Sequence, residues 1–381
     1  MIGFQLWREY KLSVSEILAV FPKWKTVFLW SNFLILENLD KSDVLEKANN
    51  LWWTIKIIEI SNNSTILEDW LDSEWKFKYW ISIFWEKQNI KTILMNQKKE
   101  FKGQWVSSRF VNKDFKNLSS AQILWEKLVK TATDYTFIYS KDQRYFWKSI
   151  WVQDIYNYSK RDWQKDRDMQ TGMLPPKLCQ MMINLSWGKT IYDPFVWLGT
   201  VLIESILMWN KEVYWSDLSQ IMVDTTTSNI NWFLNRENIQ LKNVEVIKLN
   251  SKFIHESDIL LNKDIDSIIT EWYLGEMMTQ KNISMDRINK QKESLSELYD
   301  RFFTWLKEIN YNWNLVICFP YWEMKWKTIF FTEIYDILEK YCKIESLFPS
   351  EYIISTTDNW SLLYKREKQL VWREIFKLKM K

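Results

Sequence analysis

The C-terminal part of the chain alternates short apolar runs with longer stretches of helical period. A helix is expected over residues 176–185, and the strand-like runs TIYDPF, EVYWSD, NVEVIKL, SIITEWYL and NLVICFP follow it. Strands that alternate with helices of about 10–15 residues predict an α/β fold with a doubly wound, largely parallel sheet. The final segments, YIISTTD, SLLYKRE and LVWREIFKL, are expected to be antiparallel edge strands.

Residues 1–150 show a different pattern, in which strand-like runs outnumber helical ones. The runs are TVFLW, NFLILENL, TIKIIEI, FKYWISIF, KTILMN and YTFIYS, and helices are expected around residues 13–21 and 119–130. Ser13 followed by Glu16 predicts a capping box at the first helix. These residues are therefore expected to form an α+β region.

A polar stretch over residues 153–172 separates the two patterns and indicates a linker or a binding loop. We therefore expect a domain boundary near Ile150, with an α+β domain over residues 1–150 and an α/β domain over residues 151–381.

Tryptophan is unusually frequent in this chain and glycine is unusually rare, with 26 and 6 among 381 residues. Ordinary usage of about 7% predicts roughly 27 glycines. In some bacterial lineages UGA encodes glycine, and reading it as tryptophan would produce this imbalance. Trp52, Trp53, Trp197 and Trp215 stand at expected turns or strand ends, where glycine is usual. The hypothesis is that many tryptophans occupy glycine positions; the alternative is a truly tryptophan-rich chain.

Charge and reactive residues narrow the function classes. The net charge of +3 identifies no partner, but residues 71–150 hold 15 basic against 8 acidic residues. Such an excess is typical of a solvated face and also of a surface that follows a phosphate backbone. The scattered cysteines and the single histidine, His255, argue against a metal site, a disulfide framework and a histidine-based triad. With no signal peptide and no membrane-length apolar run, a cytoplasmic protein is expected.

The ends of the expected parallel strands carry polar residues in an order that suits a nucleotide-type ligand. Asp193 and Pro194 end the first strand, and Gly199 and Thr200 are expected to present backbone N–H groups at the start of the next helix. Such a loop needs glycine so that its backbone can approach the ligand.

Two further strand ends extend this pattern. Asp217 ends the second strand 24 residues after Asp193, a spacing suited to a carboxylate that binds a ribose diol. Asn250 ends the third strand and offers an amide for an adenine edge. Taken singly, a strand-end acid often only caps the following helix. Together, in this order, these residues predict an adenosine-type cofactor.

The segment DPFVWLGT (193–200) resembles the D-P-F-x-G-x-G-T motif of S-adenosyl-L-methionine (SAM)-dependent methyltransferases, with Trp197 at a glycine position. RDWQKDRDMQTGMLPPKLCQMMINLS (161–186) is similar to a segment of the Trm11-like tRNA (guanine-N2)-methyltransferase family, which includes the archaeal guanosine-10 enzymes. The similarity extends through SDLSQIMVDTTTSNINWF and YKREKQLVWREI, where the family has glycine at the position of Trp372. It covers most of residues 150–381. Residues 1–150 resemble, more weakly, the family's N-terminal part, which contains a THUMP domain.

The resemblance implies a Rossmann-like SAM-dependent methyltransferase domain and a THUMP-like RNA-binding module that holds tRNA. The loop Asp193–Thr200, which includes Phe195 and Trp197, would face the methionine part of the cofactor. Asp217 would hold the ribose and Asn250 the adenine. The GMLPPK segment, with Leu174 and Pro175, would close over the cofactor.

The expected acceptor site departs from the family pattern. Amino-methylating enzymes usually have D-P-P-Y or N-P-P-Y at the fourth strand end, whereas this chain has TEWYLG over residues 270–275. Glu271 is expected to accept a hydrogen bond from the exocyclic amine and Tyr273 to stack on the base, with Thr270 as a rival acceptor. Methyl transfer is an in-line displacement that positioning accelerates, so it requires no metal.

The leading hypothesis is methylation of a guanosine N2 in tRNA, with the target base extruded into the pocket. Residues 156–163 would line its path or form a plain surface linker. A DNA or rRNA amino-methyltransferase and a catalytically inactive RNA-binding relative are the alternatives. The N-terminal module favours RNA, which proteins recognise mainly by shape and by unpaired bases. The sequence leaves open whether an accessory subunit is needed.

Overall fold

The computed structural model describes residues 1–22, 25–30, 32–60, 77–84, 89–111, 114–140, 143–156, 174–208, 212–240, 243–348, 356–358, 360–366 and 369–381. These residues form two compact units, Met1–Trp163 and Gln164–Lys381. None of the described helices combines the length and the apolar character needed to cross a bilayer.

The first unit is built on one mixed sheet. Its strands are β1 (Ile2–Leu6), β2 (Lys25–Trp30), β3 (Phe33–Glu37), β4 (Thr54–Ile60), β5 (Phe77–Phe84), β6 (Ser108–Phe110), β7 (Asp134–Ser140) and β8 (Gln143–Val152). The order across the eight-stranded sheet is β2-β3-β1-β4-β8-β7-β5-β6. Because β8 pairs with β4 up to Val152, the first unit extends beyond the boundary expected near Ile150 and ends at Trp163.

Four helices accompany this sheet in the described part of the unit. They are α1 (Tyr10–Val20), α2 (Lys41–Lys47), α3 (Ile90–Gly103) and α4 (Ser120–Trp125), with a short 3-10 turn at Ala48–Asn50. Ser119 caps α4 with a capping box that includes Gln122, within the stretch where a helix was expected.

Two expectations for the first unit are wrong. The run KTILMN lies in α3 and not in a strand, because Ile90, Leu94 and Phe101 recur at helical spacing and the Asn89 side chain caps the helix. The capping box at Ser13 and Glu16 is absent from the described α1, which begins at Tyr10.

Ser13 and Glu16 instead lie inside α1 and hold the loop before β4. The Ser13 hydroxyl donates to the Trp53 carbonyl at 2.7 Å, and one Glu16 carboxylate oxygen accepts the backbone N–H groups of Trp52 and Trp53, each at 2.9 Å. These bonds satisfy backbone groups that burial would otherwise leave unpaired. Ser13 and Glu16, which suggested a helix cap, therefore bind the backbone of the loop before β4.

The second unit contains a nine-stranded sheet with helices along the chain between its strands. The strands are β9 (Thr190–Asp193), β10 (Glu212–Asp217), β11 (Asn243–Lys248), β12 (Ser267–Glu271), β13 (Asn314–Met324), β14 (Lys327–Ile329), β15 (Cys342–Glu345), β16 (Leu362–Tyr364) and β17 (Val371–Met380). The helices are α5 (Pro176–Ser186), α6 (Thr200–Leu207), α7 (Gln220–Glu237), α8 (Asp258–Asn262), α9 (Met285–Glu308) and α10 (Glu333–Tyr341), with a 3-10 segment at Ser251–Glu256.

The main strand order is β11-β10-β9-β12-β13-β17-β15, with β14 paired to β13 and β16 paired to β17. Strands β11, β10, β9, β12 and β13 are parallel, as the alternating pattern predicted. The order reverses direction beside β9, since β10 and β11 lie on one side and β12 and β13 on the other. This reversal is the switch point at which open α/β sheets bind ligands.

The C-terminal strands are antiparallel, as expected, but β17 is not at the sheet edge. It lies between β13 and β15 and also pairs with β16. Its run of buried residues from Trp372 to Phe376 is typical of an interior strand. Most of the run YIISTTD lies outside the described residues. This placement brings Arg373 and Glu374 opposite Pro320 and Phe319 of β13.

Candidate functional site

Asp193 is the central polar residue of the switch point. It ends β9 and is buried, and one of its oxygens accepts the Thr270 hydroxyl at 2.7 Å and the Phe195 backbone N–H at 3.1 Å. Burial raises the pKa of Asp193 to about 7, although the bonds from Thr270 and Phe195 oppose this shift. The negative charges of Asp217 and Glu271 raise it further. The charges of two neighbouring acids thus act on Asp193 at this end of the sheet.

Asp217 ends the neighbouring strand and holds the loop after β9. Its two carboxylate oxygens accept the Ser219 N–H at 2.9 Å and the Trp197 N–H at 3.1 Å. Burial raises the pKa of Asp217, and these backbone bonds act in the opposite direction. Each carboxylate oxygen has a second lone pair, so the acid keeps the capacity to accept ligand hydroxyls.

The loop from Asp193 to Thr200 is tightly closed. Gly199 has a left-handed backbone with φ of 77°, and a Cβ built there would lie 2.8 Å from Thr226 Cγ2. Glycine is therefore required at this position for both conformation and space. The expectation that the Gly199 N–H faces a ligand is wrong for this conformation, because that group donates to the Val196 carbonyl at 2.9 Å. Thr200 is buried and begins α6, as expected.

Helix α7 supplies the side chains that hold this loop. The Thr226 hydroxyl donates to the Trp197 carbonyl at 2.7 Å, and the Asn229 amide donates to the Leu198 carbonyl at 3.2 Å. Both side chains are buried and lie three residues apart, on one face of the helix. The sequence analysis assigned them no role, because the burial of these two polar side chains is visible only in the structure.

The expected acceptor residues follow β12. The hydroxyl of Thr270 is directed at Asp193, whereas Glu271 forms an ion pair with Arg373 of β17. The Arg373 and Glu271 side chains are 4% and 17% exposed, so the pair is largely removed from water. Arg373 lies in the segment YKREKQLVWREI, which resembles the methyltransferase family. The sequence analysis assigned it no role, because nothing in the sequence pairs residues that lie 102 positions apart.

Tyr273 is the exposed aromatic residue that the acceptor hypothesis requires. Its side chain is 46% exposed, and its backbone carbonyl accepts the Tyr299 hydroxyl at 2.9 Å. The preceding Trp272 is buried against Phe195 and Tyr299, with ring centroids 5.2 and 4.4 Å away. An anchored backbone therefore presents the tyrosine ring to solvent beside Glu271.

The structure also places the remaining residues that were expected to bind the cofactor. Asn250 lies two residues after β11, is half-buried, and accepts the Phe253 N–H at its backbone carbonyl. Pro194 is buried, Leu174 is buried, and Pro175 precedes α5 as its N-cap. Pro176 and Lys177 of the expected closing segment begin α5, whereas residues 172–173 of that segment and residues 157–163 of the expected base path lie outside the described residues.

The parallel strands therefore bring together three residues from adjacent strand ends. Asp193 and Asp217 follow β9 and β10, which pair directly, and Asn250 follows β11, which pairs with β10. Thr270 and Glu271 complete the edge from β12 on the other side of β9. Within the described ranges, no group of three or more His, Cys, Asp or Glu side chains is arranged to hold a metal ion. The arrangement is suited to a nucleotide-type or cationic organic ligand.

No protein-family model matches this chain, and no curated protein matches it. Among solved structures, it is similar to TrmN from Thermus thermophilus, with a TM-score of 0.50 and 11% identity over 100% of this chain and 99% of that one. A possible methylase from Clostridium difficile 630 aligns with a TM-score of 0.47 and 11% identity, over 98% of this chain and 97% of that one. The likeness to TrmN shows that the fold of this chain, the first unit followed by a Rossmann-like α/β sheet in the second, is shared along the full length.

Proposed function

We propose that this chain is a SAM-dependent methyltransferase that acts on the exocyclic N2 amine of a guanosine in tRNA. The observation that carries the proposal is the meeting of Asp193, Asp217 and the loop containing Gly199 at one edge of the parallel sheet. Adjacent carboxyl ends of parallel strands are where open α/β sheets bind nucleotide-type ligands. The resemblance of residues 193–200 to the methyltransferase motif supports the same cofactor.

The charges at this edge fit a cationic adenosyl ligand. Asp193 and Asp217 are buried or partly buried acids with raised pKa values. Among the described residues, neither carboxylate forms an ion pair, and the bonds they accept come from neutral donors. A nearby positive charge stabilises ionised carboxylates that burial disfavours. The sulfonium of SAM would supply that charge.

Bound SAM would supply the methyl group to an incoming amine and would leave as S-adenosylhomocysteine, while the amine would lose one proton to the carboxylate that accepts its hydrogen bond. In the proposed complex, Asp217 holds the ribose hydroxyls and Asn250 the adenine edge, as the resemblance implies. Leu174 and Pro175 cover the cofactor from the start of α5. The residues of the Asp193–Thr200 loop orient the methionine part.

The contacts favour Glu271 over Thr270 as the group that binds the acceptor amine. The Thr270 hydroxyl donates its proton to Asp193, whereas Glu271 is an acid at the end of β12 whose side chain is 17% exposed. A carboxylate that accepts a hydrogen from the exocyclic amine directs the nitrogen lone pair towards the methyl carbon. Tyr273 then stacks on the base from the solvent side.

An RNA substrate is supported by the first unit. Helix α3 exposes Lys98, Lys99 and Lys102 to solvent, within the region of basic excess. Such a surface suits a phosphate backbone. The weaker resemblance of residues 1–150 to a THUMP-containing region favours tRNA as the nucleic acid that supplies this phosphate backbone.

The proposal is tested by transfer of tritium from labelled SAM to total tRNA, with duplex DNA as the matched acceptor. Label in the N2-methylguanosine of digested tRNA, and none in DNA, is the expected result. Label in DNA alone would move the substrate to DNA. Cofactor binding without transfer to either polymer would identify an inactive relative, the reading that the absence of Pro-Pro after Glu271 favours.

A further inference from the structure

Tryptophan occupies an unexpected share of the left-handed backbone positions. Twelve described residues other than glycine have positive φ, and five of them are tryptophans with φ between 52 and 66°. This conformation brings Cβ close to the backbone and is rare for bulky residues, whereas glycine adopts it readily. The five are Trp105, Trp187, Trp197, Trp326 and Trp360.

Two of these tryptophans end helices in motifs that favour glycine. After α3, the Trp105 N–H bonds the Lys102 carbonyl and the Val106 N–H bonds the Phe101 carbonyl. This pair of bonds defines the Schellman motif, whose left-handed residue is usually glycine. Trp187 follows α5 with φ of 56° and ψ of 14°, the same left-handed terminus.

Trp326 lies in a two-residue hairpin turn. Met324 of β13 pairs with Lys327 of β14, and the intervening Lys325 and Trp326 have φ of 51° and 66°. Positive φ at both central residues defines a type I′ turn, in which the second position is typically glycine. The Trp326 side chain is 95% exposed, and that of Trp105 is 97% exposed, so packing does not explain either residue.

Trp197 lies in the candidate ligand loop, two residues before Gly199. Its φ is 52°, and its indole nitrogen is buried with no hydrogen-bond partner among the described residues. A buried, unpaired N–H is unfavourable. A glycine at this position would relieve the backbone and remove the unpaired group, and would leave two glycines in the loop.

We infer that the protein made in its own cell has glycine at these five positions, and that the corresponding UGA codons are read there as glycine. The excess of tryptophan over glycine suggests that some tryptophans stand at glycine positions, and the left-handed backbone conformation identifies these five. The inference does not include Trp272 or Trp322, whose side chains are fully buried in the aromatic core of the second unit.

The coding DNA and the native protein give the direct test. UGA codons at the five positions, with peptides from the source organism that carry the mass of glycine there, are expected. UGG codons at these positions, or tryptophan in the native peptides, would overturn the inference.

A pair of substitutions tests the backbone argument separately. Trp326→Gly should lower the unfolding equilibrium constant roughly tenfold relative to Trp326→Ala, because alanine keeps the left-handed penalty. Trp125, 79% exposed at the end of α4, is the matched control with an ordinary helical setting. There glycine should be the less stable of the two variants. Equal stability of glycine and alanine at position 326 would contradict the inference.

A second observation, the buried ion pair between Glu271 and Arg373, carries a separate proposal that rests on the proposed function. Arg373 Nε donates to Oε1 of Glu271, and among the described residues no contact engages Oε2. The guanidinium also bonds the Gln369 side chain at 3.3 Å, which fixes its plane. Charge-assisted bonds of this kind orient a carboxylate strongly.

We propose that Arg373 is the positioning residue that keeps the carboxylate of Glu271 aimed at the acceptor amine. Because the bond from Arg373 fixes Oε1, the orientation of the carboxylate is set and Oε2 can accept a hydrogen from the amine. Arg373 is itself on β17, whose interior position between β13 and β15 makes this orientation rigid. It would therefore act on the acceptor through Glu271, without touching the cofactor.

The test compares Glu271→Gln, Arg373→Met, Arg373→Lys and the double variant Glu271→Gln/Arg373→Met in methyl transfer to tRNA. Each single loss should reduce kcat at least about tenfold with SAM affinity unchanged, and the double variant should be no worse, because the two residues act as one unit. Arg373→Lys should restore part of kcat, since it keeps the charge but loses the planar fork.

Thermal unfolding separates this role from a purely structural one. If Arg373→Met lowers Tm but leaves kcat of the folded fraction unchanged, or if the two losses simply multiply, Arg373 is not a positioning residue. Failure of the unsubstituted chain to label any RNA would instead overturn the proposed function, and this proposal with it.

Discussion

Two buried aspartates, one in each unit, are held in opposite ways. In the first, Lys56 and Asp134 are 2% and 0% exposed and lie 3.0 Å apart, with Thr136 and Ser149 bonded to the same pair. In the second, Asp193 is equally buried but is bonded only by neutral donors, and burial raises its pKa to about 7. The first arrangement neutralises its charge within the fold. The second leaves a carboxylate whose charge is stabilised only when a cation arrives, which is the behaviour expected of a binding site.

The largest effect is expected from breaking the neutralised pair. Lys56→Met should lower the free energy of unfolding by about 3–5 kcal/mol, because it leaves Asp134 buried without its cation. The double variant Lys56→Met/Asp134→Leu should lose less. Chemical denaturation measures both values.

Lys41 provides the matched surface control for that comparison. Its ion pair with Glu59 is 49% and 35% exposed, so Lys41→Met should change the free energy of unfolding by less than about 1 kcal/mol. If Lys56→Met were as mild as Lys41→Met, the contrast between the two units would be lost.

Asp193→Asn tests the uncompensated buried acid of the second unit. Between about pH 4 and pH 7 the folded carboxyl holds a proton that the unfolded chain releases, because burial raises its folded pKa to about 7. Unfolding releases that proton, so stability falls as pH rises through this window and levels off above it. Asparagine still accepts from Thr270 and Phe195 but does not titrate. The pH-dependent cost, at most about 4 kcal/mol, should therefore vanish in the variant.

Glu374 defines the correction needed in that experiment. It is buried, accepts the Tyr335 and Ser361 hydroxyls, and has a pKa raised to about 7 by burial. The titration of Glu374 contributes a similar slope of stability against pH to the unsubstituted chain and to the Asp193→Asn variant. The difference between the two pH profiles isolates Asp193, and identical profiles would show that Asp193 ionises in the folded state at its ordinary pKa.

Ligand charge gives a second test of the uncompensated acid. The affinity for SAM should rise about tenfold as pH increases through 7, because the ionised Asp193 attracts the sulfonium. S-adenosylhomocysteine lacks that positive charge and is the matched ligand. Calorimetric titrations at pH 6 and pH 8 compare them, and an equal pH dependence for both ligands would place the cation away from Asp193.

The smallest expected effect concerns the loop support from α7. Thr226→Val removes the hydroxyl bonded to the Trp197 carbonyl and should cost about 1 kcal/mol of stability. Thr227→Val is the control, since the Thr227 hydroxyl is half-buried and bonds only the Val223 carbonyl within the same helix. Equal losses from both substitutions would mean that Thr226 is not specific to the loop.

The sequence predicted the second unit better than the first. Strand ends at Asp193 and Asp217 followed from apolar runs that stop at an acid, and parallel pairing of β9 with β10 then placed them at neighbouring strand ends. This inference works because a buried parallel strand needs a continuous apolar run, which local sequence records directly.

The sequence could not predict contacts made by residues distant in the chain. Ser13 and Glu16 satisfy a local helix-cap pattern, yet their side chains bind the loop at Trp53, about 40 positions away. The pairing of Glu271 with Arg373 depends on β17 lying inside the sheet rather than at its edge. Both facts arise from tertiary packing, which overrides local propensity.

The central claim, a SAM site at the ends of β9 and β10, is tested most directly by isothermal titration of SAM into the chain as printed and into its Trp197→Gly form. We expect saturable binding of one SAM per chain, tighter in the glycine form, and weakened about tenfold or more by Asp217→Ala through the loss of a charged hydrogen-bond acceptor. Absence of saturable binding in both forms, or binding that Asp217→Ala leaves unchanged, would contradict the account.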